Sequence, residues 1–204
     1  GWLYRIPIMI HESDAIPGLA NRKCARFASR IGVGFARALE YFPEANAIVT
    51  GNPVRESLLL GSRETGKEIF DISSERPVLL VIGGSQGAES INDAILTALP
   101  TLLVKYEIIH ITGEKNYKQV AKEATVVMPK NHERLYHPYP SLKSEIAHAY
   151  ATASLIISRS GATSIFEIAL VGKPSILIPL KTSAGNHQRE NAYVMKDAGA
   201  CVVI

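Results

Sequence analysis

The chain has 204 residues, of which 47% are hydrophobic and 20% are charged, and its formal net charge is +3. This composition is typical of a soluble globular protein of one large or two small domains. The net charge alone is too small to indicate nucleic-acid binding. No apolar run approaches the roughly 20 residues of a membrane span, and the sequence shows no signal-peptide pattern. The two cysteines, Cys24 and Cys201, lack metal-type spacing, so we expect a cytosolic protein with reduced thiols rather than a disulfide framework or a zinc site.

The first third of the chain carries only short element patterns. "IPIMIHES" (6–13) indicates a strand, and "AIVTGNPVR" (47–55) indicates a short strand that runs into a turn. Residues 57–76 are polar and contain Gly, Ser and Glu, which is typical of a linker. The sequence begins like the tail of a helix, and its last residues, "CVVI", stop within a predicted strand. We therefore expect the chain to be part of a longer protein.

Basic residues are concentrated between residues 18 and 37, where there is no acidic residue. The basic side chains are Arg22, Lys23, Arg26, Arg30 and Arg37. Apolar residues recur there at helical spacing (Leu19, Ala20, Cys24, Phe27 and Ile31), so the pattern predicts a basic amphipathic helix over 19–37. Two interpretations are open: a solvated face of a core-packed helix, or a surface that attracts anionic lipid headgroups or a phosphorylated substrate.

From residue 76 onward, strand and helix patterns alternate. "PVLLVIG" (77–83) is a continuous apolar run, as expected for a strand buried on both faces. Further strands are predicted at 107–112, 153–158 and 175–180 and in "CVVI", and helices at 91–102 and in "NYKQVAKEA", "SIFEIALVG" and "QRENAYVMKDA". The alternation predicts an α/β fold with a doubly wound parallel sheet. We therefore divide the chain into 1–55, a linker at 56–75, and an α/β domain at 76–204.

The loop "GGSQGA" (83–88) follows the first strand of that domain. Ligands of open α/β sheets bind at the carboxyl ends of the strands. Gly84 and its neighbouring glycines let the backbone approach a ligand, while Ser85 and the N–H groups of the next helix offer donors to phosphate oxygens. The loop matches neither the dinucleotide fingerprint nor the Walker motif. A packing turn is the alternative, but a phosphate cradle is favoured.

The stretch "SRSGATSIFEI" (158–168) places a small-residue loop before a helix, with Glu167 about one turn in. N–H groups and the hydroxyls of Ser160, Thr163 and Ser164 make the helix start suitable for an anion. A second negative charge would repel a phosphate, so Glu167 fits a neutral polyol better, such as the two hydroxyls of a ribose. The alternative is that Glu167 only complements the helix dipole.

A third polar group follows the strand predicted at 175–180. "NHQRENA" (186–192) brings amide, imidazole and carboxylate side chains to a loop-to-helix junction. Such side chains suit the recognition of sugar hydroxyls, and a helix-capping region is the equal alternative. Together, the three loops point to a nucleotide diphosphate sugar lying across the strand ends.

Five motifs, in order and spacing, resemble the MurG family of bacterial glycosyltransferases. They are "HESDAIPGLANR" (11–22), "GNPVR" (51–55), "GGSQGA" (83–88), "SRSGATSIFEIALVGKPSILIPL" (158–180) and "NHQRENA" (186–192). The resemblance implies the two-domain GT-B architecture with Rossmann-like domains. Residues 1–55 would then be the end of the acceptor-binding N-domain, and 76–204 the donor-binding C-domain. The sequence lacks the family's N-terminal Gly-rich loop with its His.

The resemblance also implies site roles and an activity. UDP-N-acetylglucosamine would be the donor, with no cofactor and no metal. The residues expected to bind substrate are Asp14, Arg55, Gly84, Ser85, Gln86, Gly161, Ala162, Thr163, Glu167, Gln188 and Asn191. Arg55 and Ser85 would face the diphosphate, Glu167 the ribose, and Gln188 the N-acetylglucosamine. The uracil would lie near Lys143, where the family pattern is blurred.

The expected reaction is an inverting transfer of N-acetylglucosamine to an undecaprenyl-pyrophosphate-linked acceptor, lipid I, which gives lipid II for peptidoglycan. The general base stays open, with His11 and Glu12 as candidates. The enzyme would act from the cytoplasm on the inner face of the membrane, with anionic lipid contact through the 19–37 helix and no nucleic-acid partner. Two alternatives remain: a truncated UDP-binding module without turnover, and a related GT-B enzyme that glycosylates diacylglycerol.

Overall fold

The computed structural model describes residues 4–83, 88–180 and 186–204, which contain two separate parallel β-sheets with flanking helices. The strands are β1 Met9–Glu12, β2 Arg30–Val33, β3 Ala47–Val49, β4 Val78–Ile82, β5 Glu107–Ile111, β6 Tyr136–Tyr139, β7 Leu155–Ser158, β8 Ser175–Leu177 and β9 Cys201–Val203. The α-helices are α1 Leu19–Cys24, α2 Arg63–Ile69, α3 Glu89–Leu102, α4 Tyr117–Val127, α5 Ile146–Thr152, α6 Ala162–Val171 and α7 His187–Asp197. The α/β fold class predicted from the alternating pattern is therefore confirmed.

The larger sheet has the strand order β6-β5-β4-β7-β8-β9, and all its pairings are parallel. This is the doubly wound order in which the connections reverse direction between β4 and β7. Every residue of β4 and β5 is buried, because helices cover both faces of the central strands. The carboxyl ends of β4 and β7 therefore flank the switch point, where ligands of such sheets bind.

The smaller sheet contains β1, β2 and β3, with β2 in the centre. Ile31 of β2 pairs with Ile10 on one side and Ala47 on the other. Ile31 and Val33 are completely buried in a core formed with Ala38 and Phe42. The two strands predicted in the first third of the chain are thus confirmed, and β2 completes the sheet between them.

The basic helix predicted over residues 19–37 is wrong. Helix α1 ends at Cys24, a short 3₁₀ turn follows, and the chain enters β2 at Arg30. The β-branched Ile31 and Val33 favour a strand, and their pairing with two neighbours outweighs the helical spacing. Leu19 is 68% exposed, so the predicted apolar face does not pack as a helix face. The lipid contact therefore loses the helix on which it was predicted.

Two elements lie between residues 128 and 152, where the sequence pattern indicated none. Strand β6 contains Pro138, which the sheet accommodates because β6 is an edge strand. Helix α5 is short and Ala-rich, and it is buried at Ile146, Ala149 and Tyr150. Both elements bring side chains to the carboxyl ends of β4 and β5 that the motifs did not include.

The polar segment 56–75 is folded. A 3₁₀ helix spans Glu56–Leu60, and α2 follows with Ser62 as its N-cap, whose hydroxyl accepts from Thr65 N at 3.2 Å. Helix α2 lies against α5, and Gly66 faces His148 and Thr152 with no room for a side chain. The domain boundaries at 55 and 75 stay predictions, but the connection between the two sheets is docked on α5.

A buried polar network holds β5 to β6 and α3. His110 Nδ1 lies 2.8 Å from the Tyr136 hydroxyl, and His110 Nε2 lies 3.0 Å from Asn92 Oδ1. Burial lowers the pKa of His110 to about 4 and raises the pKa of Tyr136, so at neutral pH both side chains are uncharged. This network lies in the core and satisfies its own members, which makes it a structural element.

Replacing Gly66 by alanine tests the docking of α2 on α5. In an isolated helix this change stabilises by about 1 kcal/mol. Here the new Cβ would lie 2.7 Å from His148 O and would also overlap the Thr152 hydroxyl. We expect the free energy of unfolding in urea to fall by about 1–3 kcal/mol. Gly18→Ala is the control, because its Cβ would meet open space; equal stability of Gly66→Ala and wild type would contradict the docking.

Candidate functional site: a cleft at the carboxyl ends of the central strands

A cleft of about 460 Å³ opens at the carboxyl ends of β4 and β5. Its floor is formed by Ile82 and Ile111, the last residues of those strands. Its walls are formed by Arg55, Pro140, Ser141, Leu142, Ile146, Tyr150, Thr163, Ser164 and Glu167. The cleft thus combines an apolar floor with a few polar groups on one wall, the usual character of a small-molecule site.

Glu167 is the charged group at the centre of that wall. It lies in α6, and its side chain is buried apart from 9% of its surface. Its Oε1 accepts from Arg55 NH2 at 2.8 Å and from Arg55 Nε at 3.2 Å, and its Oε2 accepts from the Tyr150 hydroxyl at 3.2 Å. A buried carboxylate requires such partners, because an unpaired charge in this position would be strongly unfavourable.

Arg55 and Tyr150 reach Glu167 from different parts of the fold. Arg55 lies directly before the 3₁₀ helix Glu56–Leu60 and is about half exposed, whereas Tyr150 lies in α5 and is 1% exposed. Burial, followed by the nearby Glu167 carboxylate, raises the pKa of Tyr150. The phenol is therefore protonated at neutral pH and donates to the carboxylate.

The N-terminus of α6 borders the same cleft. Gly161 is the N-cap and provides no side-chain cap, while Thr163 and Ser164 of the first turn line the cleft. The free N–H groups and partial positive charge of this helix end suit an anion or a polar ligand edge. Ala162 and Ser160 are buried beneath it, so they shape the loop rather than line the cleft.

Residues of the 186–192 motif join the two sheets. The Asn191 amide donates to Asp14 Oδ1 at 2.7 Å and to Ser160 O at 3.3 Å, and its oxygen accepts from Ala15 N at 2.7 Å. Nearby, His187 Nδ1 lies 2.7 Å from the carbonyl oxygen of Ile16. Asn191 is fully buried, so in this conformation its side chain fixes the 13–18 loop against α7. We call Asp14, Ala15 and Asn191 the interface clasp.

Arg37 adds an ion pair to this interface. Its NH1 lies 2.8 Å from Glu190 Oε2, and both side chains are only partly exposed. Arg37 is one of the basic residues predicted on the helix at 19–37. In the structure it serves the contact with α7 instead, which gives one part of the basic stretch a structural role.

Comparison with known proteins places the chain in a family. Residues 78–204 match the "Glycosyltransferase family 28 C-terminal domain". The chain belongs to glycosyltransferase family 28. The match begins at the first residue of β4 and includes the whole six-stranded sheet with α6 and its Glu167.

The chain is also similar to longer family 28 enzymes. A Bacillus cereus protein named "UDP-N-acetylglucosamine--N-acetylmuramyl-(pentapeptide) pyrophosphoryl-undecaprenol N-acetylglucosamine transferase 2" is 40% identical over 205 residues, covering 100% of this chain and 56% of the relative. A Caldanaerobacter subterraneus protein has the same name except for the final "2". It is 40% identical over 204 residues, covering 98% of this chain and 55% of the relative. The chain spans about half the length of these relatives.

A solved structure supports the same assignment. The crystal structure of MurG from Acinetobacter baumannii matches with a TM-score of 0.76 and 28% identity, and the match covers 99% of this chain and 54% of that chain. The resemblance to the MurG family in the five motifs is thereby confirmed, as is the Rossmann-like GT-B fold of the six-stranded sheet.

The site residues predicted from the motifs fall into three groups in the structure. Arg55, Thr163 and Glu167 line the cleft, and their contacts with the substrate stay predictions. Gly84, Ser85 and Gln86 lie outside the described residues. Gln188 lies beside Leu180, whose N–H donates to the Gln188 amide oxygen at 3.0 Å, and Arg159 Nε donates to the same oxygen at 3.4 Å. Its contact with the sugar stays a prediction.

The two candidates for the general base differ in their surroundings. Glu12 is 3% exposed and accepts from Asp14 N at 3.0 Å, Gly18 N at 3.0 Å and Asn21 Nδ2 at 2.8 Å. This carboxylate is committed to bracing the 13–18 loop. His11 is exposed at the carboxyl end of β1, and its Nε2 lies 3.0 Å from the Gly51 carbonyl oxygen. Of the two candidates, His11 is the one whose side chain is exposed, and the assignment of the base stays a prediction.

Five wall residues of the cleft belong to none of the sequence motifs. They are Pro140, Ser141 and Leu142 in the segment before α5, and Ile146 and Tyr150 in α5 itself. Lys143, at the expected uracil position, is exposed and absent from the cleft wall, whereas its neighbour Leu142 is part of that wall. The apolar spacing of Leu142, Ile146 and Tyr150 at i, i+4 and i+8 is the signal that could have identified this face.

The described residues contain neither a metal-ligand cluster nor a membrane-spanning helix. Across 4–83, 88–180 and 186–204, no three His, Cys, Asp or Glu side chains are grouped as metal ligands would be. In the same part of the chain, no helix is both long and apolar enough to cross a membrane. Metal independence stays a prediction.

Removing the Asn191 side chain tests the interface clasp. Asn191→Ala leaves the buried N–H of Ala15 and the Asp14 carboxylate without this partner. We expect the free energy of unfolding, measured by urea denaturation, to fall by about 2–4 kcal/mol, because unpaired buried polar groups are costly. Gln119→Ala, which loses one exposed contact with Glu123, is the control with a change within about 0.5 kcal/mol. Similar small losses in both variants would disprove the clasp.

Proposed function

We propose that the chain binds the nucleotide of UDP-N-acetylglucosamine in the cleft and forms the donor half of an enzyme that makes lipid II from lipid I. The single observation that carries the proposal is the buried Glu167 carboxylate, which faces a cleft at the switch point of a family 28 sheet. The names of the similar transferases support the same donor and acceptor. Because the chain spans about half of those relatives, turnover belongs to the longer protein.

Glu167 is suited to a ribose because a carboxylate accepts the hydrogen bonds that two vicinal hydroxyls donate. In the structure Arg55 takes two of those acceptor positions on Oε1. Donor binding would exchange Arg55 for ribose hydroxyls. The guanidinium, which is about half exposed, would then be available to the diphosphate.

The rest of the nucleotide has complementary surfaces nearby. Leu142 and Ile146 offer an apolar wall to the uracil ring, and the start of α6 offers N–H groups to the phosphates. The "GGSQGA" loop, with Ser85 and Gln86, begins directly after β4 and would reach the diphosphate from the other side of the switch point.

The reaction is an inverting displacement at the anomeric carbon. The 4-hydroxyl of the acceptor's N-acetylmuramic acid attacks, its proton passes to a general base, and the bond from the sugar to the UDP oxygen breaks. The negative charge that develops on UDP would be stabilised by the α6 N-terminus and Arg55 without a metal. His11, exposed at the edge of the smaller sheet, is our candidate for the base.

The acceptor is attached to a lipid, so the full enzyme would work at the cytoplasmic face of the membrane, in the service of cell-wall synthesis. Arg22, Lys23, Arg26 and Arg30 are all exposed and lie between the start of α1 and the start of β2. Their charge favours proximity to anionic headgroups, although they do not share one helix.

Removing the carboxylate tests the donor site. Glu167→Ala should weaken UDP binding about 10- to 100-fold in calorimetry, because hydrogen bonds to a charged acceptor are lost. The hydroxyl of Tyr150 loses its acceptor in this variant, so its thermal unfolding is recorded in parallel. Glu123→Ala, an exposed glutamate on α4, is the matched control and should bind UDP as wild type does.

Two results would contradict the proposal. Wild-type chain that binds neither UDP nor UDP-N-acetylglucosamine at millimolar concentration would refute the donor site, and unchanged affinity of folded Glu167→Ala would refute the ribose role. Transfer is measured on a lipid I analogue with the longer protein. Binding without transfer by that protein would favour a UDP-binding module instead.

A further inference from the structure

We propose that Tyr150 is a positioning residue that makes the donor site selective for ribonucleotides over 2′-deoxyribonucleotides. The inference rests on the proposed ribose role of Glu167 and adds a residue that no sequence motif identified. Tyr150 has its ring fully buried and its hydroxyl 3.2 Å from Glu167 Oε2, at the wall of the cleft.

The geometry divides the carboxylate between two partners. Tyr150 donates to Oε2 from inside the protein, and Arg55 donates twice to Oε1 from the exposed side. Tyr150 has a rigid ring fixed in the core, whereas the Arg55 side chain is about half exposed. Tyr150 is therefore the partner that stays, and Arg55 is the partner that a ligand can displace.

The hydroxyl of Tyr150 also fixes which acceptor positions face the cleft. Each carboxylate oxygen accepts about two hydrogen bonds, so Oε2 keeps one position beside the Tyr150 bond, and Oε1 regains two when Arg55 leaves. Without the phenol, the carboxylate is free to rotate into a two-pronged pair with the Arg55 guanidinium, which is the preferred arrangement for these groups. That pairing would cover the oxygens that ribose needs.

The protonation state of Tyr150 agrees with this role. Burial and the Glu167 carboxylate both raise its pKa, so the phenol is a permanent donor in the physiological range. Because the Tyr150 phenol stays protonated, it can hold the Glu167 carboxylate in place while that carboxylate accepts hydrogen bonds from neutral hydroxyls.

The test compares the affinities of UDP and 2′-deoxy-UDP by calorimetry. Wild type should prefer UDP about 10-fold, the value of one hydrogen bond to a charged acceptor. In Tyr150→Phe the preference should fall to about 2-fold, because UDP binding weakens by more than 2′-deoxy-UDP binding does. Tyr136→Phe is the matched control, since it removes another buried tyrosine hydroxyl, whose partner is His110, and should keep the wild-type ratio.

Each outcome decides the inference. A wild-type ratio in folded Tyr150→Phe, or an equal loss of ratio in Tyr136→Phe, would overturn it. Wild type that binds UDP without preferring it over 2′-deoxy-UDP would overturn it together with the ribose role of Glu167, and wild type that binds no UDP would overturn the donor site as a whole. All chains are measured in sucrose, an osmolyte that favours the folded state.

A measurement on the wild-type chain avoids the folding question for Tyr150→Phe. In a chain with ¹³C-labelled tyrosine, the hydroxyl proton of Tyr150 should be protected from exchange both in the free state and with UDP bound, because its bond to Glu167 persists. Loss of this protection when UDP binds would show that the phenol leaves the carboxylate, and would overturn the positioning role. The buried Tyr136 hydroxyl provides the internal reference.

Discussion

The buried carboxylate of Glu167 is the constraint on which the site depends. A charge in this position is tolerated only with partners, and the fold supplies them from two separate places, Tyr150 in α5 and Arg55 in the connection between the sheets. The same need for partners makes the carboxylate available to a ligand. In the proposed donor site, a ribose that brings hydroxyl donors would replace the exposed arginine while the buried tyrosine stays.

The connection between the sheets carries more structure than its composition indicates. Helix α2 packs against α5, and Tyr150 of α5 donates to Glu167 in the cleft wall. The segment 56–75 therefore supports the helix that carries part of this wall. On the other side, the interface clasp around Asn191 ties the loop after β1 to α7. Through Asn191, which also donates to Ser160 O, this clasp places the loop after β1 beside the carboxyl end of β7.

Much of the six-stranded sheet could be predicted from the sequence, because continuous apolar strands and helical spacing are strong local signals, and α6 does end at Gly172 in the left-handed conformation that favours glycine. The prediction of a helix over 19–37 was wrong. Ile31 pairs with two other strands, and such long-range pairing is not visible in the local sequence pattern. Glu167 was found from its motif. Tyr150 was not, because its role depends on a contact between residues 17 positions apart in different helices.

A crystal structure of the chain with UDP tests the central claim most directly. The account predicts a ribose hydroxyl within about 3 Å of a Glu167 carboxylate oxygen, Arg55 displaced from Oε1, and the Tyr150 bond to Oε2 retained. Uridine bound elsewhere, with the pair of Arg55 and Glu167 intact, would contradict it.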